Sequence, residues 1–234
     1  MTPQELHVLP DSTQTAAQNM AHDFLLLNRY PDVNALRIRH YDWIRPAFTF
    51  GMSQTYSYAL SEVSDFSAEI CRRPTGGGVV NHLEDWTYSL VIPASHPLAR
   101  SQPSESYRSV HDCIVSSMHE QGVEVILNFA SPEHTAPSVC FEKPEVYDIV
   151  LRNLPTKVAG AAQKRSKKGY LLQGSIWRPA LPDLDWTQFY NDFIQSLSRL
   201  ADAETQFRSW PDWDELEEEQ LIERFESEEW NQRR

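Results

Sequence analysis

The sequence contains Arg72-Arg73-Pro74-Thr75-Gly76-Gly77-Gly78-Val79-Val80-Asn81-His82, in which three glycines are adjacent. Glycine has no Cβ, so such a backbone can approach a ligand where any other residue would collide. Its N–H groups can line an anion or a carbonyl oxygen, and the two arginines can add positive charge. The stretch lacks the Gly-Lys-Ser/Thr of a Walker loop and the Gly-x-Gly-x-x-Gly of a dinucleotide fingerprint. Because adjacent glycines are also typical of an ordinary turn, the rest of the chain has to decide between the two interpretations.

A second informative segment holds a cysteine between two prolines. Cys140 lies between Pro137 and Pro144, in a predicted loop that precedes a predicted strand. Loops on a rigid scaffold commonly present reactive groups, and a cysteine there is a candidate nucleophile. Cys71 in a predicted strand and Cys113 in a predicted helix are more typical of small buried side chains. No Cys-x-x-Cys spacing occurs, so neither a disulfide framework nor a metal site is predicted.

A third segment, Lys157-Val158-Ala159-Gly160-Ala161-Ala162-Gln163, combines small residues with one lysine. It alternates like a strand, and its small side chains leave room for a substrate to lie against it. A single lysine is usually a surface charge. Here we expect Lys157 to be partly buried beside the substrate instead.

The hydrophobic pattern predicts an α+β domain with a mixed sheet flanked by helices. Helical spacing predicts a first helix over 13–30 with Ser12 or Thr13 as N-cap, and further helices around 107–118 and 186–200. A last acidic helix should carry Leu216, Leu221 and Phe225 inward. Strands are predicted at 34–41, 47–50, 87–92, 123–127, 146–151, 157–163 and 169–177. Helices at both ends and no regular strand–helix alternation disfavour a doubly wound fold.

Charge is concentrated near the end of the chain. The net charge is −12, yet residues 212–229 hold ten acidic side chains and one basic one, so the remainder is close to neutral. We interpret residues 212–234 as an acidic helical segment of a single domain that covers 1–234, with its charges on a solvated face. The charge disfavours a nucleic-acid partner. No apolar run is long enough to span a membrane and no signal peptide is evident, so a cytoplasmic protein without a membrane partner is expected.

Taken in order, these segments resemble the biotin/lipoate protein ligase superfamily, and within it the lipoate-protein ligases and the cysteine-dependent octanoyltransferases. Arg72 to His82 is similar to the superfamily signature Arg-Arg-x-Thr/Ser-Gly-Gly followed by Val and His. Lys157 to Ala162 is similar to Lys-Val/Ile-x-Gly-x-Ala, and Gly174-Ser175 to the Gly-Ser that follows it. Further matches are Asn19-Met20-Ala21-x-Asp23, Trp43-x-x-Pro46 and Phe225-x-Ser227-x-x-Trp230-Asn231, so the resemblance spans roughly residues 18–234.

The resemblance implies the α+β catalytic domain shared with biotin ligases and class II synthetases, with the acyl chain in an apolar tunnel. It implies Cys140 and Lys157 as catalytic residues. It also implies a set of substrate-binding residues, namely Arg72, Arg73, Thr75, Gly76, Gly77, Gly78, His82, Gly160, Ala162, Gly174 and Ser175. A biotin ligase is disfavoured because the Gly-Arg-Gly-Arg-x-Gly-Arg loop is missing.

Three functions remain open. Cys140-Phe141, followed by Pro144, Tyr147 and Asp148, resembles the catalytic segment of the transferases. These take an octanoyl or lipoyl group from acyl carrier protein and pass it to a lysine of a 2-oxoacid dehydrogenase E2 lipoyl domain or of a glycine cleavage H protein, without a cofactor. The alternative is a lipoate-protein ligase that uses ATP and Mg and acts through lipoyl-AMP, and Gly78 matches the ligases. The third is a non-catalytic module that binds an acyl group or a lipoyl domain. Gln173 departs from both enzyme groups, whose members commonly have His there.

Four basic residues lie within five positions at Lys164, Arg165, Lys167 and Lys168. They are typical of a solvated hairpin turn. The resemblance offers a second interpretation, because acyl carrier proteins are acidic and lipoyl domains commonly are, and a basic loop would attract them.

Overall fold

The computed structural model describes residues 4–63, 67–130, 144–154 and 156–233. The strands are β1 (Gln4–Val8), β2 (Ser12–Gln14), β3 (Leu36–Trp43), β4 (Ala47–Phe50), β5 (Glu69–Arg72), β6 (Val79–Asn81), β7 (Asp85–Pro93), β8 (Val125–Leu127), β9 (Ile149–Leu151), β10 (Lys157–Ser166), β11 (Gly169–Trp177) and β12 (Ala203–Phe207). The helices are α1 (Ala16–Asn28), α2 (Tyr56–Ser61), α3 (Pro97–Arg100), α4 (Pro103–His119), α5 (Trp186–Ala201), α6 (Glu215–Glu226) and α7 (Glu228–Asn231). None of these helices is long and apolar enough to cross a membrane.

Among the described residues the strands form one large mixed sheet and one small sheet. The large sheet has the order β12-β1-β3-β7-β11-β10-β9-β8, with β2 added beside β3. β1 is parallel to both β12 and β3, whereas the strands from β3 to β8 along this order are antiparallel to their neighbours. In the small sheet, β4 lies between β5 and β6. The predicted mixed sheet is confirmed.

The alternation of β7 divides the large sheet into two faces. Trp86, Tyr88, Leu90 and Ile92 belong to the main apolar core with α4 and α5. Val91, on the opposite face, belongs to a second cluster with residues of α1. Successive strand residues point to opposite faces, so both faces of the central strands are covered by helices.

Helix α1 begins later than predicted. Thr15, rather than Ser12 or Thr13, is its N-cap and forms a capping box with Gln18. The reason is that residues 12–14 are extended and pair with β3, where Ser12 lies opposite Tyr41. Pairing with the sheet thus excludes this segment from the helix.

The acidic helix α6 packs against α1. Leu221 and Phe225 are buried as predicted, whereas Leu216 is 64% exposed. Leu216 precedes Phe225 by nine positions, and at 100° per residue the two side chains point to opposite sides of the helix. The acidic face is only partly solvated, because Glu218 lies 2.7 Å from His22 and Glu217 lies 2.8 Å from Arg29. α6 is therefore attached to α1 on both its apolar and its acidic side.

Candidate active site

The glycine-rich loop follows β5 and precedes β6, and Arg73 holds it from within. The Arg73 guanidinium donates to the carbonyl oxygens of Gly76 (2.6 Å) and Gly78 (2.8 Å) and to the Thr49 hydroxyl (3.2 Å). Gly77 has a φ of +84°, and a Cβ built there would lie 2.8 Å from Arg73 and 3.6 Å from the Cβ of Ala162. The loop therefore presses closely on β10, and Gly77 is required both by its backbone conformation and by lack of space.

A first cavity lies between this loop and the large sheet, with about 420 Å³ of atom-free space when the solvent at its opening is included. Its lining is mainly apolar and includes Met20, Tyr41, Trp43 and Val80. Among the predicted substrate-binding residues, those that line it are Arg73, Gly77, His82, Gly160, Ala162, Gly174 and Ser175. Residues of the glycine-rich segment and of β10 and β11, which are separated in sequence by the whole of β7 and α4, thus meet around one cavity.

A second and more open cavity adjoins the first, with about 960 Å³ of atom-free space when the solvent at its opening is included. Gly77 and Ala161 line both cavities. The second is also lined by Gly78, by Lys157 and by the residues that follow Pro144, namely Glu145, Val146, Tyr147 and Asp148. The first cavity thus continues, at the glycine-rich loop, into a second cavity whose wall includes the charged side chains of Glu145, Asp148 and Lys157. A site for an apolar chain with a reactive polar end requires such an arrangement.

Lys157 is buried and ion-paired. Its Nζ lies 2.7 Å from Asp148 Oδ2, and the side chains are only 4% and 1% exposed. The other carboxylate oxygen accepts a 2.5 Å hydrogen bond from the Tyr107 hydroxyl, which in turn accepts from the Ala161 N–H at 2.9 Å. The Glu145 N–H donates to Asp148 as well. A buried charge needs such partners, and these contacts fix the ammonium at the cavity wall. The predicted burial of Lys157 is confirmed.

Gly160 leaves the space that this ion pair occupies. A Cβ at this position would lie 2.7 Å from both Cε and Nζ of Lys157 and 3.0 Å from Asp148 Oδ1. Real Cβ atoms essentially never lie below 3.0 Å from such neighbours. The glycine of this segment therefore accommodates the lysine three positions before it.

Asp148 is placed by a strained residue that a buried histidine supports. Tyr147 has a φ of +69°, which is unusual for a residue other than glycine. Its carbonyl oxygen lies 2.6 Å from His111 Nδ1, and its N–H donates to the Asn128 carbonyl oxygen at 2.6 Å. Burial lowers the pKa of His111 below its ordinary value. The neutral ring therefore donates from Nδ1, and these bonds hold the backbone in an otherwise unfavourable conformation.

Tyr107 and His111 were not identified from the sequence. They are four positions apart on α4, and their rings contact each other in a tilted arrangement with 4.1 Å between ring centroids. That spacing places two side chains on one helix face. A polar and aromatic pair on an otherwise apolar stripe is therefore the feature of the sequence that could have identified these two residues.

His82 belongs to the wall of the first cavity. Its Nδ1 lies 2.7 Å from Asp85, its Nε2 lies 2.8 Å from the Thr49 hydroxyl, and its ring stacks on Trp43 at 4.1 Å. The Ser175 hydroxyl donates to the same Asp85 carboxylate. Since Ser175 and His82 share one acceptor rather than bonding to each other, they form a rigid wall and not a serine nucleophile with its base.

Arg72 does not line either cavity. Its guanidinium donates to main-chain carbonyl oxygens of Gly51, Met52, Gln54, Trp230, Asn231 and Arg233. These contacts join the glycine-rich segment to the C-terminal residues, which gives Arg72 a structural position rather than the predicted substrate contact. Thr75 and Gly76 also line neither cavity.

Comparison with known proteins identifies the family. The sequence model of the lipoyl protein ligase A/B catalytic domain matches residues 15–191. The chain belongs to this family. It is 31% identical to octanoyltransferase LipM of Staphylococcus aureus over 78% of this chain and 67% of that protein. It is likewise 31% identical to octanoyltransferase LipM of Bacillus subtilis over 80% of this chain and 68% of that protein.

A solved structure shows the same fold. The bipartite lipoate protein ligase of Thermoplasma acidophilum, studied together with its E2 lipoyl domain, superposes with a TM-score of 0.71 at 16% identity, over 98% of this chain and 96% of that one. At that identity the likeness concerns the fold alone. The predicted superfamily and its mixed-sheet catalytic domain are therefore confirmed, and the chain is an enzyme of the lipoyl protein ligase A/B family.

Cys71 and Cys113 are both buried among the described residues. Burial raises the pKa of Cys113 to about 11, and it also raises the pKa of Cys71. Both therefore stay protonated near neutral pH, as expected for cysteines that only fill space. Cys140, the predicted nucleophile, lies outside the described residues, so its role stays a prediction.

The four basic residues between Lys164 and Lys168 lie in different environments. Lys167 and Lys168 are exposed at the turn between β10 and β11. Arg165 instead donates to the carbonyl oxygens of Ala99 and Ser101 and to the Ser106 hydroxyl. Burial, and to a lesser extent Arg233 and Arg224, lowers the pKa of Lys164. At about 3.3 Å per strand residue, the turn lies about 30 Å along β10 from Lys157.

Proposed function

We propose that this enzyme transfers an octanoyl group from a thioester donor, through a thioester on Cys140, to a lysine amine of an acceptor protein. The observation that carries the proposal is the buried Lys157–Asp148 pair, which lines the open second cavity next to the mainly apolar first one. The similarity to two octanoyltransferases supports it.

The first cavity suits the tail of a medium-length acyl chain. Its lining is mainly apolar, and each CH₂ that leaves water for such a surface contributes about 0.8 kcal/mol. The acyl carbonyl would then lie near Gly77 and Ala161, where the two cavities meet. The reacting carbon would then face the second cavity, whose wall includes Lys157.

The chemistry requires two exchanges at one carbonyl carbon. In the first, the Cys140 thiolate attacks the donor thioester, a new C–S bond forms, the old one breaks, and the donor sulfur leaves and takes up a proton. In the second, a neutral lysine amine attacks the acyl-cysteine, a C–N bond forms, Cys140 leaves as thiolate, and the nitrogen releases a proton. A thiolate attacks a thioester with little change in bond energy, and the acyl-cysteine remains reactive toward an amine.

Lys157 would act on both steps through its charge. An ammonium fixed beside the carbonyl stabilises the oxyanion that each attack creates, and a positive charge also favours the thiolate form of a nearby cysteine. An unperturbed thiol has a pKa near 8.5 and is only a few per cent thiolate at neutral pH. The Lys157–Asp148 pair is already oriented, so little reorganisation is needed during the reaction.

The expected donor is octanoyl acyl carrier protein, and the expected acceptors are an E2 lipoyl domain or a glycine cleavage H protein, in the cytoplasm. No cofactor takes part in this reaction. The ATP-dependent ligase remains the alternative, with the matching Gly78 in its favour. Among the described residues that line the second cavity, however, Glu145 and Asp148 are acidic and Lys157 is basic. This lining does not gather the basic side chains that a triphosphate requires.

Intact-protein mass spectrometry tests the proposal. The protein is mixed with octanoyl acyl carrier protein without ATP, and a mass increase of one octanoyl group, mapped to Cys140, is expected. Addition of a lipoyl domain should then move the group to its lysine. Modification of the acceptor from free octanoate or lipoate, only with ATP and Mg, would contradict the transferase and support the ligase. Binding of the partner proteins without turnover under either condition would instead indicate a non-catalytic module.

A further inference from the structure

Gln173 lies at the wall of the first cavity. Gln173 is 7% exposed and lies on β11 next to Gly174 and Ser175. Its amide nitrogen lies 2.6 Å from Asp23 Oδ2 and 3.3 Å from the Met20 sulfur. Its amide oxygen accepts from the Thr75 hydroxyl at 2.8 Å. One side chain therefore joins α1, β11 and the glycine-rich loop.

The orientation of this amide follows from its partner. An ionised carboxylate only accepts hydrogen bonds, so Asp23 requires the NH₂ group of Gln173 on its side. The amide oxygen must then face Thr75, and the Thr75 hydroxyl must donate to it. Each group in this chain thus has one fixed role as donor or acceptor, and a side chain that lacks that role would leave a buried polar atom unpaired.

Asp23, at one end of this chain of hydrogen bonds, is held firmly in position. It is fully buried, and Arg39, itself fully buried, lies 2.8 Å from Oδ1. Ser89 donates to the same oxygen at 2.5 Å, and Tyr41 donates to Oδ2 at 3.3 Å. A carboxylate with that many donors is held on all sides, so its position does not adapt to movements of the loop.

Thr75 connects the glycine-rich loop to this fixed carboxylate through Gln173. Its carbonyl oxygen accepts from the Met52 N–H at 3.0 Å, while its hydroxyl is bound by Gln173. Gly76 and Gly77 follow directly, and Gly77 lines both cavities. Without the Gln173 contact, the side chain of Thr75 would lose the one hydrogen bond that it makes to the large sheet among the described residues.

We propose that Gln173 is a positioning residue that fixes the glycine-rich loop over the acyl cavity by linking Thr75 to the buried Asp23–Arg39 pair. It acts on substrate through the loop and the cavity wall, and it takes no part in proton transfer because an amide does not titrate. The proposal rests on the proposed function only for its substrate. The link itself is a property of the fold.

The test uses Gln173→Leu, Thr75→Val and the double variant, with Gln195→Leu on the exposed side of α5 as matched control. Gln173→Leu and Thr75→Val should each speed amide hydrogen exchange in the peptide that contains Gly76 to Gly78. Each should raise the KM for octanoyl-N-acetylcysteamine about tenfold, with a smaller change in kcat. The double variant should be no worse than either single one, because both remove the same link. Gln195→Leu should match the native protein.

Gln173→His supplies the conservative replacement. A neutral imidazole has one donor and one acceptor nitrogen, so it can bridge Asp23 and Thr75 and should restore both the exchange rate and the KM. Unchanged exchange of the loop in Gln173→Leu, or additive effects in the double variant, would overturn the inference, and if Gln173→Leu does not fold, Thr75→Val and Gln173→His decide. If the native protein neither forms an octanoyl adduct nor turns over, the proposed function fails, and hydrogen exchange still tests the link.

Discussion

Asp148 and Lys157 face each other at 2.7 Å in a part of the molecule where both side chains are almost fully buried. Asp148 also accepts from Tyr107 and from the Glu145 N–H, so three groups orient it. Removing one partner of a buried pair costs about 3–5 kcal/mol because the other charge stays buried. The pair thus stabilises the fold and also fixes the position of the Lys157 ammonium.

The first prediction follows from this pair. Asp148→Asn should lower the free energy of unfolding by about 3 kcal/mol and should slow acylation of Cys140, because Lys157 loses its countercharge. Lys157→Ala should slow acylation as strongly. Urea unfolding and single-turnover acylation measure the two effects. Glu124→Gln is the control, since the Arg152–Glu124 pair is largely exposed and should contribute less than about 1 kcal/mol. Unchanged acylation in Lys157→Ala would contradict the proposed role.

The second prediction separates the three cysteines. Cys140→Ser should reduce octanoyl transfer by at least about a thousandfold, because a hydroxyl is a far weaker nucleophile at neutral pH. Cys113→Ser and Cys71→Ser should keep most of the turnover number, since burial keeps both thiols protonated. Steady-state transfer and adduct mapping measure this. Normal turnover of Cys140→Ser would exclude the transferase mechanism.

The third prediction concerns Gly160. Gly160→Ala should disrupt the Lys157–Asp148 pair, because the new Cβ would overlap the lysine side chain. We expect a loss of about 2–3 kcal/mol in stability and a large loss of acylation rate. Gly76→Ala is the matched stability control, since a Cβ there meets nothing within 4 Å. Thermal denaturation of both variants is the measurement, and equal melting temperatures for the two would count against this account.

Much of the central sheet could be predicted because its strands alternate clearly. The structure reproduces the predicted bounds of β4 and β11, and β7 differs from its prediction by two residues at the start and one at the end. By contrast, β1 and β12 were not predicted. They pair in parallel, with Gln4 opposite Ala203, so their partners are almost the whole chain apart. β12 also reads Ala-Glu-Thr-Gln-Phe, a polar edge strand without an apolar alternation.

The site was predictable where a backbone requirement shows in the sequence. The glycine-rich loop and the Lys157–Gly160 spacing are of that kind, since glycine marks places where no side chain fits. Arg72 and Tyr107 are of the opposite kind. An arginine beside glycines suggests an anion site, yet Arg72 binds main-chain carbonyl oxygens of the C-terminal segment. Only the tertiary arrangement shows which acceptors surround a given donor.

The fourth prediction is a pH dependence of stability. Burial lowers the pKa of His111, and also that of His22 and His96, below the ordinary 6.5. Below about pH 6.5 these histidines therefore bind protons more readily in the unfolded chain than in the folded chain. The free energy of unfolding should consequently fall as the pH decreases below about 6.5. His111→Gln should reduce this slope between pH 7 and pH 5. Urea unfolding across that range measures it, and an identical slope in the variant would disprove the contribution of His111.

The last prediction concerns the exposed turn of the β10–β11 hairpin. Lys167 and Lys168 are free of the contacts that hold Arg165. The donor of the proposed reaction, an acyl carrier protein, is expected to be acidic, and lipoyl domains commonly are. Complementary charges at the rim of an interface act mainly on the association rate, and salt screens them over about 8 Å at physiological ionic strength. Lys167→Glu combined with Lys168→Glu should therefore slow transfer from octanoyl acyl carrier protein severalfold at low salt and much less at high salt.

Octanoyl-N-acetylcysteamine is the matched control donor for the hairpin variant, because it brings the same acyl group without an acidic protein. Acylation of Cys140 from it should be unchanged, since the turn lies about 13 Å along the strand from Gln163, the last residue of β10 that lines the second cavity. Stopped-flow transfer with both donors at two salt concentrations gives the comparison. An equal loss with both donors would mean that the turn supports the cavity. Unchanged rates with every protein partner would mean that Lys167 and Lys168 belong to an ordinary solvated turn.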